Sequence, residues 1–478
     1  MKYFRIAHIV LLCGFSALAQ SPDQKTNRIG EHLKTLEKHN YFSGVVLIAH
    51  NGKTVFEHAY GFSNRADNIP NRIDTKFNLA SMNKMFTSLA IVKLASESKI
   101  SVDEKVGKYL PDFPNKSVRD SVTIAHLLTH TSGMSSFWEE LDKQPKEKFK
   151  SVSDYLPLFA DKKLVSRPGE KMLYSNSGYM VLGLIIEKVS GMSYDEYVRK
   201  NIFVPSGMSN TDSYELDEAI PNLATGYTMS VEKPGHWKNN TYSNVIKGTP
   251  AGGGFSTAQD LLKFANALQK NILLDKSSTE NYTKGRVKYR DGMYGYGIIE
   301  NIVNGHRIIG HTGGHFGIAN ELMMIPDLGY TIVILTNGEV ENYWEASNLI
   351  KQQLVGSTPA IDNFFYTKDV INTIINSGMQ GGTQKIQQNS GKNALRESLI
   401  ERYGFKCLFE KKNQAAIALF QTNVDQFPDS AYAIYNLAEA YRLTGQKDDA
   451  IRNFELYLKR EPEDADAVKK LQSLQNTK

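Results

Sequence analysis

The sequence predicts an α+β protein, an antiparallel sheet flanked by helices, followed by an all-α region. A hairpin pattern near the N-terminus and a three-strand meander over 308–337 supply the sheet. From Asn393 onward the chain reads as helix and repeats with a period of 34 residues.

With 478 residues, 41% of them hydrophobic, the chain is long enough for two or three domains with real cores. The formal charge of +5 is small for this length, and with acidic and basic residues interspersed it gives no support to nucleic-acid binding. Lys2 and Arg5, an apolar run from Ile6 to Leu18 and Ala17-Leu18-Ala19 have the layout of a secretory signal peptide over 1–19. Export to the periplasm or the extracellular space is therefore expected. The run is short for a membrane anchor, and bulky Leu12 argues against lipid attachment to Cys13. No other stretch approaches the roughly eighteen apolar residues of a spanning helix, so no stable membrane insertion is expected. The chain has two cysteines; with Cys13 removed, Cys407 is expected to be a buried core thiol and not a nucleophile.

Asn27 to His39 reads as an amphipathic helix. Tyr41 to Gly61 then holds two β-rich runs split by Asn51-Gly52, a strong hairpin signal. The stretch Phe77 to Thr87 contains Ser81-Met82-Asn83-Lys84 and leads into helical Ser88 to Leu94, with Met85, Leu89 and Val92 at helical spacing. Ser and Lys three apart at a helix start share a face and can touch. If that face is buried, desolvation favours the neutral amine, which can take the serine proton as the hydroxyl attacks a carbonyl. Alone the tetrapeptide is weak, because it arises by chance in chains of this length, where it is ordinarily a solvated helix start.

Val122 to Met134 predicts a short buried helix, then a turn, with His126 and His130 in hydrogen-bonded structural roles. Residues 135–165 show no clear period and read as a lid or surface excursion. Pro168-Gly169 is a turn, so Tyr174 and Asn176 lie on a loop entering the apolar helix Met180 to Val189. There they either face a cleft or serve as core packing and helix cap. After Gly252-Gly253-Gly254, Ser256 and Gln259 are spaced as a capping box for a helix over Leu261 to Leu268. No Lys-Ser or Lys-Thr follows the glycines and the dinucleotide pattern is absent, so close backbone approach is favoured over phosphate binding, and no cofactor or metal is expected. In the meander, His311-Thr312-Gly313-Gly314 ends the first strand, and a helical stretch from Glu339 to Leu354 packs on the sheet. Taken alone, His311 reads as a core histidine.

Ser81-x-x-Lys84, Tyr174-Ser175-Asn176 and His311-Thr312-Gly313, in this order, resemble the three motifs of the penicillin-recognising serine hydrolases: class C β-lactamases, DD-peptidases and related esterases. Leu127 to Gly133, Pro205-Ser206-Gly207-Met208 and Gly252 to Ser256 extend the likeness over roughly residues 25–355. The resemblance implies a β-lactamase/DD-peptidase-like fold, the sheet joined by a mainly helical subdomain. It implies Ser81 as the acylated nucleophile, Lys84 as its proton acceptor, and Tyr174 as a partner base relaying the proton to the leaving group. Asn176 would orient Lys84 and the substrate amide, His311 and Thr312 would stand at the substrate, and the N–H groups of Ser81 and Gly314 would form an oxyanion hole. Tyr174 points to the class C-like branch. His311 departs from the usual Lys: a neutral imidazole recognises a substrate carboxylate less well than a permanent cation. Small esters or D-amino-acid amides and peptides are therefore the expected substrates, with at most feeble β-lactamase activity. The alternative is an inert fold serving as sensor or scaffold.

Residues 20–355 thus form the expected hydrolase domain. Gly, Gln and Asn enrichment around a possible helix at Thr367 to Ile375 marks 356–392 as a linker. Over 393–478, Ala416, Phe420 and Pro428 recur as Ala450, Phe454 and Pro462, which resembles tetratricopeptide helix pairs. The repeats either bind a protein partner or only stabilise the chain.

Overall fold

The computed structural model describes residues 22–39, 41–230, 233, 236–338 and 340–476. The expected signal peptide, with Cys13, lies outside these residues. Helix α1 (Pro22–Lys38) precedes the hairpin β1 (Gly44–His50) and β2 (Lys53–Tyr60). Asn51 and Gly52, at φ 52° and 77°, supply the two positive dihedrals that a tight hairpin turn requires.

The meander is wider than the sequence reading. Strands β3 (Val287–Tyr289), β4 (Gly292–Tyr294) and β5 (Ile299–Val303) precede β6 (His306–His315), β7 (Ile318–Ile325) and β8 (Tyr330–Thr336). They join the hairpin in an eight-stranded antiparallel sheet of order β2-β1-β8-β7-β6-β5-β4-β3. In β1, Val45 and Leu47 face one core while Val46 and Ile48 face the other. Burial on both faces explains why these strands read as unbroken apolar runs and not as alternation.

One face packs on α1 and on α5 (Val340–Val355), through Ile29, Leu33, Tyr343 and Ile350. The other meets a helical layer built on α2 (Asn83–Ser96), α3 (Asn176–Ser190) and α4 (Ala258–Gln269). The stripe expected on α2 widens to the whole circumference, since Phe86, Ala90 and Ile91 are buried along with Met85, Leu89 and Val92. Each fully buried large apolar side chain contributes about 1.5–3 kcal/mol. Packing from all sides therefore holds this helix.

Several expectations need correction. Residues 135–165 are not a surface excursion: Phe137, Leu141, Phe149, Tyr155 and Phe159 are buried in the helical core. The cap of α4 is Thr257, which accepts from the Asp260 N–H; Ser256 pairs with Phe77 in a short strand, and the Gln259 amide donates to Glu57. The stretch 356–392 is mostly helix, α6 (Pro359–Gln388), kinked at Gly378 where φ is 73°. Ile361, Phe364, Val370, Ile371 and Ile374 bury against neighbouring helices, a stripe that its polar residues obscure in the sequence.

Helix α7 (Glu397–Phe409) and the repeat helices α8 (Asn413–Gln426), α9 (Ala431–Leu443), α10 (Lys447–Leu458) and α11 (Ala465–Asn476) complete the chain. Ala416, Phe420, Ala450 and Phe454 are fully buried between them, and Pro428 and Pro462 follow the ends of α8 and α10. Together with α6, this unit docks on the sheet domain: Lys368 of α6 pairs with Glu345 at 2.8 Å, and Phe409 of α7 meets Trp237 edge-on at 5.2 Å.

Candidate active site

Ser81 sits in a 3-10 turn, Ala80–Met82, that runs directly into α2. Ala80 takes φ 45°, a strained value for a residue with a side chain, and is held there because its N–H donates to Asn78 Oδ1 at 2.9 Å and its carbonyl accepts from Gly253. The glycine triplet is needed for this approach. A Cβ on Gly252 would lie 2.9 Å from the Ala80 carbonyl oxygen, and one on Gly254 would lie 2.7 Å from the Asn83 amide. Close backbone approach is thus its role.

Lys84 is fully buried. Its Nζ lies 3.2 Å from Ser81 Oγ and donates to Asn176 Oδ1 at 2.8 Å and to the Ala251 carbonyl. Burial pulls the amine well below its ordinary value. A neutral amine has two N–H donors and one lone pair. The two carbonyl-type acceptors take the donors, which leaves the lone pair for the Ser81 hydroxyl proton. The Ala251 carbonyl was invisible to sequence reasoning, because a backbone acceptor carries no residue-type signal.

Asn176 opens α3, but the cap is Ser175, whose hydroxyl accepts from the Gly178 N–H. That frees the Asn176 side chain to bridge Lys84 and the Ser136 hydroxyl. Tyr174 leans on His130, ring centroids 4.1 Å apart, and Lys84 Nζ lies 4.9 Å from the centre of its ring. Burial pushes the phenol above its usual range, opposed by its contact with the Ser81 hydroxyl. Tyr174 therefore stays protonated at neutral pH, which suits a proton relay and not a phenolate base.

Ser81, Tyr174, Asn176 and Gly314 line one cavity of about 200 Å³. Phe137 and Trp138 also line it, from the stretch read as an excursion, as do Asn244, Val245 and His315. Trp138 stacks on His315 at 5.3 Å, and His315 Nε2 is 2.8 Å from the Ser243 carbonyl. These wall residues lack a motif, so only the fold could reveal them. His311 is not on this wall: it is 2% exposed, with Nδ1 2.5 Å from the Thr312 carbonyl and Nε2 3.0 Å from the Tyr294 hydroxyl. Thr312 and Gly313 follow it on β6; a Cβ on Gly313 would strike the Leu79 carbonyl at 2.1 Å, so glycine lets the strand pass the nucleophile turn. Burial holds the His311 imidazole well below its ordinary value of 6.5, so it is neutral at pH 7.

A serine with a buried amine within bonding distance, beside a cleft between an antiparallel sheet and a helical layer, defines a serine hydrolase. The chain belongs to the β-lactamase family: the family model described as Beta-lactamase matches residues 28–354, and one described as Tetratricopeptide repeat matches residues 410–474. It is 32% identical over 342 residues to Penicillin-binding protein 4* of Bacillus subtilis, covering 67% of this chain and 74% of that protein. Among solved structures, a penicillin binding protein from Bacillus halodurans superposes with a TM-score of 0.61 at 32% identity, covering 67% of this chain and 98% of the other. An octameric penicillin-binding protein homologue from Pyrococcus abyssi gives 0.64 at 26%, covering 73% and 81%.

Proposed function

We propose that this chain is an exported hydrolase that cleaves small esters, and D-amino-acid amides and peptides that bring no carboxylate into the cavity, through an acyl-enzyme on Ser81. One observation carries the substrate class: no Lys, Arg, Asp or Glu is among the described residues that line the cavity. A substrate carboxylate brought there would lose its water shell without gaining a counter-charge. Neutral His311, turned toward Tyr294, supplies none. The apolar run Ile6 to Leu18 supports export, with the periplasm or the extracellular space as destination.

In the reaction the Lys84 amine accepts the Ser81 proton as Oγ adds to the carbonyl carbon. The backbone N–H groups of Ser81 and Gly314 receive the oxyanion, and Tyr174 passes a proton to the departing oxygen or nitrogen. Water then attacks the acyl-enzyme and the same groups act in reverse.

The test is one preparation assayed on p-nitrophenyl butyrate, D-phenylalanine amide, a peptide ending in a free D-Ala-D-Ala carboxylate, and a cephalosporin, with intact mass after fluorophosphonate treatment. The ester and the amide are expected to be turned over, and the carboxylate-bearing substrates at least about tenfold less efficiently. A cephalosporin cleared as fast as the ester, or an unlabelled Ser81, overturns the proposal.

A further inference from the structure

Behind the cavity lies a cluster that the catalytic reading leaves unused. The Ser175 N–H donates to His130 Nδ1 at 3.1 Å; His130 Nε2 is 3.2 Å from the Tyr294 hydroxyl; that hydroxyl is 3.0 Å from His311 Nε2; and His311 Nδ1 is 2.5 Å from the Thr312 carbonyl. His130, Tyr294 and His311 are all buried.

The two ends of this series fix every proton in it. A backbone N–H only donates, so His130 Nδ1 accepts and its Nε2 carries hydrogen. A carbonyl only accepts, so His311 Nδ1 carries hydrogen and its Nε2 accepts. Tyr294 has one proton, which goes to His311 while its oxygen receives the His130 N–H. The chain therefore runs one way, with each donor matched to one acceptor. The neighbouring Tyr179 hydroxyl gives its one proton to the Leu128 carbonyl at 3.0 Å and so supplies none to Tyr294.

Four segments are tied by it: the loop at Ser175, the turn at His130 (held at φ 57°), strand β4 and strand β6. Ser175 stands between Tyr174 and Asn176, and His130 also stacks on Tyr174. We propose that Tyr294 is a positioning residue whose hydroxyl, through His130 and His311, locks the loop bearing Tyr174 and Asn176 to strand β6 and so sets both groups around Lys84. This rests on the hydrolase reading above.

Tyr294→Phe keeps the ring that packs edge-on against Tyr174 and His311 but removes the link. With active sites counted by fluorophosphonate, the rate per site on p-nitrophenyl butyrate is expected to fall about tenfold to a hundredfold, with KM changed less than about twofold. A purely structural role would lower the number of active sites and leave the rate per site unchanged, and that result overturns the proposal. Imidazole 15N spectra of the wild-type protein at pH 7 give an independent readout, decisive even if the variant does not fold. His130 protonated at Nε2 and His311 at Nδ1 support the chain, and the opposite tautomer at either overturns it. A wild-type protein that takes no label but shows these tautomers defeats the hydrolase reading and leaves the chain itself standing.

Discussion

Asn176 Oδ1 accepts from Lys84 Nζ at 2.8 Å, joining residues 92 positions apart at the starts of two helices that pack on each other. Asn176→Ala leaves a buried Lys84 N–H without an acceptor. A lost hydrogen bond to such a group costs about 1.5–3 kcal/mol, so phosphonylation of Ser81 by a fluorophosphonate should slow roughly tenfold to a hundredfold. Asn176→Asp should instead raise the Lys84 value by adding a counter-charge and shift the rise of activity toward higher pH; stopped-flow labelling rates across a pH series distinguish the two.

Lys84 carries a pH signature. Burial holds its amine well below the ordinary 10.5, so between that lowered value and 10.5 the unfolded chain binds a proton that the folded chain does not. Stability should therefore rise with pH across this window, by up to about 1.4 kcal/mol per unit. Lys84→Met should abolish labelling of Ser81 and remove that slope from urea titrations run at a series of pH values.

Gly252→Ala drives a Cβ to 2.9 Å from the Ala80 carbonyl, backbone that cannot rotate away. The expected cost is about 1–3 kcal/mol in stability, with a fall in kcat as the turn bearing Ser81 shifts. Calorimetry together with esterase assays checks both.

Glu345 joins the sheet domain to the helical unit through Lys368 at 2.8 Å, with His32 Nε2 3.2 Å away. Burial acts to raise its carboxyl, but His32 and Lys368 outweigh that and hold it at about 2 against an ordinary 4.5. Its contribution is complete above pH 4.5 and is lost as pH falls from there toward 2. Glu345→Ala leaves the buried Lys368 ammonium without a counter-charge, held only by the Tyr403 hydroxyl and ring, and should cost about 3–5 kcal/mol at neutral pH, read from thermal or urea melts.

Cys407 is buried, and burial first, then Glu410, pushes its thiol up to about 11. A disulfide reagent such as dithionitrobenzoate should react with it slowly at pH 8 in the folded protein and at the rate of a free thiol in urea.

Much of this was legible in the residues. The hairpin showed because Asn51-Gly52 is turn chemistry, and the repeats because Ala416 and Phe420 recur as Ala450 and Phe454. Of helix α6 only the segment Thr367 to Ile375 was legible; the rest was hidden because Gly, Gln and Asn mask the stripe that begins at Ile361 and Phe364. Strands β3 and β4 were missed because three-residue strands have no period to detect. Phe137, Trp138 and the Ala251 carbonyl were unreadable as site groups, since nothing local marks an aromatic ring or a backbone oxygen as facing a cavity.

The sequence by itself determined which chemical groups exist and what spacing they keep within one element: Ser81 and Lys84 share a helix turn wherever that helix goes. Only the tertiary structure decided that Lys84 loses its water, that Asn176 and Ala251 occupy its donors, and that His311 turns inward to Tyr294. The reason is that desolvation and hydrogen-bond partners depend on atoms brought from distant segments, whereas intrinsic basicity and helical spacing are properties of the residues themselves.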